Sequence, residues 1–186
     1  MKKQIQALEY ASQILQAVKT GALLTTKADN FVNTMTIGWG GLGIEWGIPI
    51  FAAFVRHGRY TREMLDKNPE FTINIPLGGE LELAKNILAV CGKKSGRDCD
   101  KIKELSLGLV DGECVSAPAI KQFPMTLECK VVYRQAQDPN NIPAQLKARY
   151  YPQDVDSANP LENKDFHIAY YGEIVRAYII EEKINE

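Results

Sequence analysis

Residues 22–56, ALLTTKADNFVNTMTIGWGGLGIEWGIPIFAAFVR, constrain the fold more than any other stretch of the chain. They are rich in Thr, Val, Ile, Phe and Trp, side chains that suit a pleated surface, and are interrupted at Asp29-Asn30 and at a glycine-rich corner from Gly38 to Gly47. The pattern predicts three strands in succession, over about 21–27, 33–39 and 49–56. The later segments do not alternate regularly as βαβ units either. A doubly wound parallel sheet is therefore the weaker solution, and a mainly antiparallel barrel with peripheral helices the stronger one.

The remaining segments fit around that barrel. IQALEYASQILQAVKTG predicts an amphipathic helix over about 5–19, stopped by Gly21. RYTREMLDKN predicts a second helix with Thr61 as its cap, EFTINIP a strand ending at Pro76, and ELELAKNILAVCG a helix closed by Gly92. SGRDCDKIKELSLG reads as a loop entering a short helix capped by Asp98. FPMTLECKVVYRQAQ and FHIAYYGEIVRAYII have the composition of long strands. Between them, about 138–164, lies a Pro/Asn/Asp-rich connection with one helix expected at 143–150, long enough to serve as a lid, an interface element or a loop. At 186 residues, one domain is expected.

Several function classes lose their minimum parts. The formal net charge of -1 gives no global field to gather nucleic acid or anionic lipid, and no stretch approaches a membrane span, so neither partner is expected and a cytoplasmic location is. Cys91, Cys99, Cys114 and Cys129 are widely spaced with only His57 and His167 as imidazole partners, which argues for reduced thiols and no metal site. GWGGLG matches the dinucleotide fingerprint only loosely and sits among strand-like segments; P-loop, GxSxG and HExxH motifs are absent.

Two basic corners remain. VRHGRYT brings Arg56, Arg59, Tyr60 and Thr61 to a strand-turn-helix junction, and SGRDCDK places Ser95, Gly96, Arg97 and Lys101 at another. Helix entries favour anions, and guanidinium groups match phosphate oxygens in pairs. Each corner alone also fits a solvated helix start; together they could converge on one phosphorylated ligand. Trp39, Trp46, Tyr170 and Tyr171 could stack on a bound ring or on one another.

NTMTIGWG, VRHGRYTREML, EFTINIP, CGKKSGRDCDK, LEC and YYGEIV, in this order and spacing, resemble the flavin reductase-like family with the FMN-binding split barrel, flavoredoxins included, over roughly residues 15 to 180. The resemblance implies a six-stranded antiparallel Greek-key split barrel, a homodimer, and FMN near the subunit interface. It implies flavin contacts from Asn33, Thr34, Met35 and Thr36, phosphate and ribityl contacts from Arg56, Arg59, Tyr60 and Thr61, and a second anion segment at Ser95, Gly96, Arg97 and Lys101. His167, in the spacing H-x-x-x-x-G-E, would stand beside a nicotinamide, or else make a structural hydrogen bond at a strand start. The implied activity is hydride transfer from NAD(P)H to FMN and onward to free flavin, an acceptor protein or a metal complex; flavoredoxin-type electron transfer without nicotinamide turnover is the alternative. Haem in the same cleft is a third. Many relatives read RPSRYT where this chain has His57 and Gly58, which removes one serine hydroxyl from the phosphate shell.

Overall fold

The computed structural model describes residues 1–77, 81–155 and 164–181. In chain order it contains β1 (Lys2–Gln4), α1 (Ala11–Thr20), β2 (Ala22–Ala28), β3 (Phe31–Ile37), β4 (Gly40–Glu45), β5 (Ile48–Arg56), α2 (Tyr60–Lys67), β6 (Glu70–Ile75), α3 (Leu81–Lys93), α4 (Lys101–Glu104), β7 (Leu109–Val110), β8 (Ala119–Ile120), β9 (Met125–Ala136), α5 (Ala144–Tyr150) and β10 (His167–Ile180).

Every strand pairing is antiparallel, and the main sheet runs β3-β2-β6-β9-β10-β5-β4, with β1 added to the far half of β10. The six expected strands form the continuous path from β3 to β5. The expected strand count is exceeded by β1, β4 and the small β7-β8 ribbon. The glycine-rich corner is the source of β4: Gly40–Glu45 pairs with β5 in a hairpin rather than forming a loop. Gly40 is needed there, because a Cβ would stand 2.9 Å from the ring of Phe51. The hairpin closes through Trp46 (φ 51°) and Gly47 (φ 74°), and the β2-β3 hairpin closes through Asp29 (φ 50°) and Asn30 (φ 61°). Two successive positive-φ residues in a two-residue loop match the right-handed strand twist, and Asp-Asn is a usual choice for them.

The sheet curls about one core to which Ile14 and Val18 of α1, Leu24, Phe51, Phe71, Ile73, Leu127 and Tyr170 all belong. β3 and β4, the ends of the path, do not pair, so the barrel is open, and α1 packs against both β4 and β6. Register shifts at Tyr171/Gly172 and Ile174/Arg176 bend β10 against β9. Gly172 permits the bend, since a Cβ would meet the Phe71 ring at 2.5 Å. On the outer side, Ile87 and Cys91 of α3 bury Leu23, Ile120 and Phe123 in a second cluster.

The helix boundaries depart from expectation at several ends. A single turn of 3-10 helix, Ala7–Tyr10, precedes α1, so the first helix begins later than residue 5. Thr61 is not a cap: Arg59 holds that position, and Thr61 is buried in the first turn of α2. The short helix is capped by Asp100 rather than Asp98, its carboxylate accepting from the Lys103 N–H at 3.2 Å. α3 continues through Gly92 to Lys93. The helix expected at 143–150 is α5, while residues 156–163 of the long connection lie outside the described residues. No helix is long and apolar enough to cross a membrane among the described residues.

Candidate functional site

β3, the start of α2 and the turn before α4 meet around a cleft of about 300 Å³ lined by Asn33, Met35, Arg59, Tyr60, Thr61, Ser95, Gly96, Arg97 and Lys101. These are nine of the residues expected from the two basic corners and the NTMT strand, so the corners converge. The alternation of a strand explains which part of NTMT faces the cleft. Asn33 and Met35 line it; the Thr34 hydroxyl turns inward instead, 2.9 Å from Thr25 Oγ1, in a buried network with Asn74 and Thr72. The expected side-chain contact from Thr34 is thereby corrected to a core contact, leaving its backbone groups as its means of meeting a ligand.

Asn33 is the centre of the cleft wall. Its Nδ2 donates to Thr61 Oγ1 at 2.9 Å, while its buried Oδ1 has no hydrogen-bond partner among the described residues. An unpaired buried acceptor costs on the order of 1–3 kcal/mol. A Cβ on Gly96 would lie 2.2 Å from that Oδ1 and 3.0 Å from the Tyr60 ring, so only glycine lets Asn33 and Tyr60 approach this closely.

Three cations border this space in different ways. Lys101 is buried, its Nζ donating to the Lys94 carbonyl at 3.1 Å; burial is the main cause lowering its pKa, and the Arg59 charge lowers it further. Burial also lowers the pKa of Arg59, opposed by Asp165. Arg97 is half-exposed, donating to the Gly58 carbonyl at 3.1 Å and to Glu63 Oε1 at 2.5 Å. An anion between Arg59 and Lys101 would relieve their mutual repulsion and compensate their lost hydration. One backbone donor at this turn is already engaged: the Gly58 N–H donates to Asp165 Oδ2 at 2.6 Å. The exposed His57 gives its backbone N–H to the Phe166 carbonyl.

Met35 and Arg59 also line a second cavity of about 150 Å³, together with Thr36, Trp39, Phe54, Arg56 and His167. The two cavities therefore adjoin at Met35 and Arg59, and together they make the candidate cleft. Thr36 is fixed by donating its hydroxyl to the Leu88 carbonyl at 2.6 Å. Arg56 lines the smaller cavity and not the larger one: its Nη1 donates to the Asp165 carbonyl at 2.6 Å and its Nη2 to the Tyr150 carbonyl at 3.0 Å, and its guanidinium lies over the rings of Trp39 and Tyr151. It fastens the long connection to the barrel, where a phosphate contact was expected of it.

His167 stands at the start of β10, buried, with its ring 4.7 Å from that of Trp39 and its Nδ1 2.9 Å from the Tyr151 hydroxyl. Burial, with the Arg56 charge next, pushes its pKa down to about 3, so the imidazole is neutral at physiological pH. Tyr151 stacks on Phe166, ring centroids 4.6 Å apart. Of the other aromatics, Trp46 and Tyr171 each pack on Tyr133, and Tyr170 is buried in the core. Tyr151 and Asp165 are site residues that no sequence pattern marked. Both lie in the irregular connection, where neither helical nor strand period links residue type to direction.

All four cysteines are free, and among the described residues no three of His, Cys, Asp and Glu are grouped as a metal set.

This geometry has relatives. Flavoredoxin from Methanosarcina acetivorans is similar over 88% of this chain and 70% of its own, at 25% identity and a TM-score of 0.63. Flavoredoxin of Desulfovibrio vulgaris (Miyazaki F) matches at 25% identity and a TM-score of 0.61, covering 87% and 69%. The NADH:FAD oxidoreductase of Streptomyces globisporus C-1027, at 16% identity, TM-score 0.58 and coverage of 86% and 75%, shares the fold. An uncharacterized protein of Archaeoglobus fulgidus is 32% identical over 100 residues, a match spanning 54% of this chain and 54% of that relative's length. The model of the flavin reductase like domain matches residues 17–186, so the chain belongs to that family.

Proposed function

We propose that the cleft binds FMN, its phosphate between Arg59 and Lys101 and its ring toward Met35 and Trp39, and that a reduced nicotinamide is oxidised there. The observation that carries this reading is that the two cavities adjoin at Met35 and Arg59: a cationic half lies beside an aromatic half. The residues present fit the group. The unpaired Asn33 Oδ1, on the wall of the larger cavity, calls for a hydrogen-bond donor, which ribityl hydroxyls and the ring imide both offer.

When bound, FMN would accept hydride from the dihydronicotinamide and release electrons singly or in pairs to an acceptor. The protein's share is placement. Arg59 and Lys101 hold the anion by charge, Asn33 and Thr61 fix the polar chain, and Trp39 with Met35 excludes water from one side. His167, neutral, offers a hydrogen bond and no proton that the transfer requires.

The visible spectrum of freshly purified protein tests the cofactor: oxidised flavin bands support FMN, and a Soret band would replace it with haem. Anaerobic mixing with NADH or NADPH then tests turnover. Flavin that stays oxidised would leave electron transfer of the flavoredoxin type, the reading favoured by the 25% identity to two flavoredoxins.

We also propose a homodimer. Ile44 and Trp46 of the β4-β5 hairpin and Val132 and Tyr133 of β9 are exposed apolar residues, and β3 and β4 are open sheet edges that a partner could cover. A single 20.8 kDa species in sedimentation at micromolar concentration would overturn it. The acceptor is free flavin or a partner protein, and the free thiols suit a cytoplasmic setting.

A further inference from the structure

Resting on that reading of the cleft, we infer that Gln137 and Tyr151 are positioning residues that fix the tautomer of His167, so that the cleft accepts a hydrogen bond from its second substrate and selects a carboxamide-bearing ring.

The Tyr151 hydroxyl has two neighbours at the same distance, Gln137 Oε1 at 2.9 Å and His167 Nδ1 at 2.9 Å. A phenol has one proton to donate. An amide oxygen can only accept, so that proton goes to Gln137. The phenol oxygen then has lone pairs alone to offer Nδ1, which must carry the ring's hydrogen. Because burial and the Arg56 charge keep the imidazole neutral, its single N–H is used in this way and Nε2 is left as a bare acceptor. His167 lines the smaller cavity, where Nε2 can meet a ligand.

The three groups are held rigidly enough for this relay. Tyr151 is 5% exposed and stacked on Phe166, the guanidinium of Arg56 lies over its ring, and the Gln137 N–H donates to the carbonyl of His167 itself at 2.9 Å. Chain segments on both sides of the long connection thus set one proton.

The consequence is selectivity by polarity. A carboxamide N–H, or a hydroxyl, can donate to Nε2; a ligand group with only a carbonyl meets lone pair against lone pair. Reduced nicotinamide dinucleotide carries the donor, and its acetylpyridine analogue has the same ring with a methyl ketone in its place.

The chain has two histidines, so NMR of protein labelled with heavy nitrogen, with His57→Gln for assignment, reads the His167 tautomer directly. Without nicotinamide, the wild type should show hydrogen on Nδ1. Gln137→Leu removes the acceptor, so Tyr151 donates to Nδ1 and the hydrogen moves to Nε2; Gln137→Glu keeps an acceptor and should keep hydrogen on Nδ1. In the same variants, the wild-type preference in KM for the carboxamide over the methyl ketone should shrink about three- to tenfold in Gln137→Leu and return in Gln137→Glu. Hydrogen on Nε2 in the wild type, or a tautomer that ignores Gln137→Leu, overturns the inference. Flavin left oxidised by both dinucleotides would instead overturn the proposed turnover and the carboxamide with it, while the tautomer result is decided independently.

Discussion

The two halves of the cleft are walled by different kinds of structure. At the Asn33 end, strand β3 and the turns before α2 and α4 supply short polar groups from regular elements that pack on the core. At the His167 end, the wall is held by the connection between β9 and β10, through Arg56 to the carbonyls of Tyr150 and Asp165 and through the Tyr151 hydroxyl. Arg56 and Arg59, three positions apart, take opposite parts in this: one secures the protein to itself, and the other faces the space shared by both halves. A guanidinium with two backbone carbonyls is a structural bolt, whereas Arg59 lines both cavities near the buried Lys101.

The largest effect should come from removing the bolt. Arg56→Ala leaves two carbonyls without their charged donor and frees the rings of Trp39 and Tyr151, and should lower unfolding free energy by about 3 kcal/mol in denaturant titration. Arg59→Ala should act on the ligand, weakening FMN binding by about 1.5–3 kcal/mol in a fluorescence titration. If Arg56→Ala instead matches Arg59→Ala in FMN affinity with an unchanged melting curve, the contrast between the halves is lost.

A third measurement probes the His167 end through pH. The imidazole titrates near its ordinary 6.5 when unfolded and at about 3 when folded, so the unfolded chain takes up a proton that the native state refuses. That contribution to stability is present above pH 6.5 and is lost as pH falls toward 3, by up to about 1.4 kcal/mol per pH unit. His167→Gln should flatten this slope, and an unchanged slope between pH 6.5 and 4 would place the proton uptake on other groups.

The smallest effect sharpens the Asn33 end. Asp165 sets a carboxylate on the Gly58 N–H, beside the place proposed for the phosphate. Asp165→Asn removes that like charge and should tighten FMN binding by about 1 kcal/mol, with weaker FMN binding counting against a phosphate at this corner.

The contrast also marks where sequence reasoning reached its limit. Asp29-Asn30 marked a break between two strands, as residues that tolerate positive φ do; Trp46-Gly47 did not, since a bulky first residue at φ 51° is unusual, and β4 was hidden behind its glycines. Asn33 and Met35 were legible as site residues, and strand alternation could have set Thr34 apart from them. Arg56 and Arg59 could not be told apart, because the choice is made by carbonyls about a hundred positions away, among them Asp165 at a separation of 109 residues. Local pattern locates a basic corner; long-range backbone decides what Arg56 holds.

One strand carries a consequence for how the molecule is made. β10 pairs with β9 along one side and with β5 and then β1 along the other, and it follows all of them in the chain. The β2-β3 and β4-β5 hairpins can close as soon as they leave the ribosome, but the β5 side of the sheet has no link to the β9 side until residues 167–180 emerge. Until then β5 and β9 present bare edges, Phe51 and Leu127 lack part of their cover, and His167 has not yet reached Arg56. A nascent chain stalled before residue 167 is thus an aggregation-prone pair of half-sheets, and β10 is what turns them into one barrel.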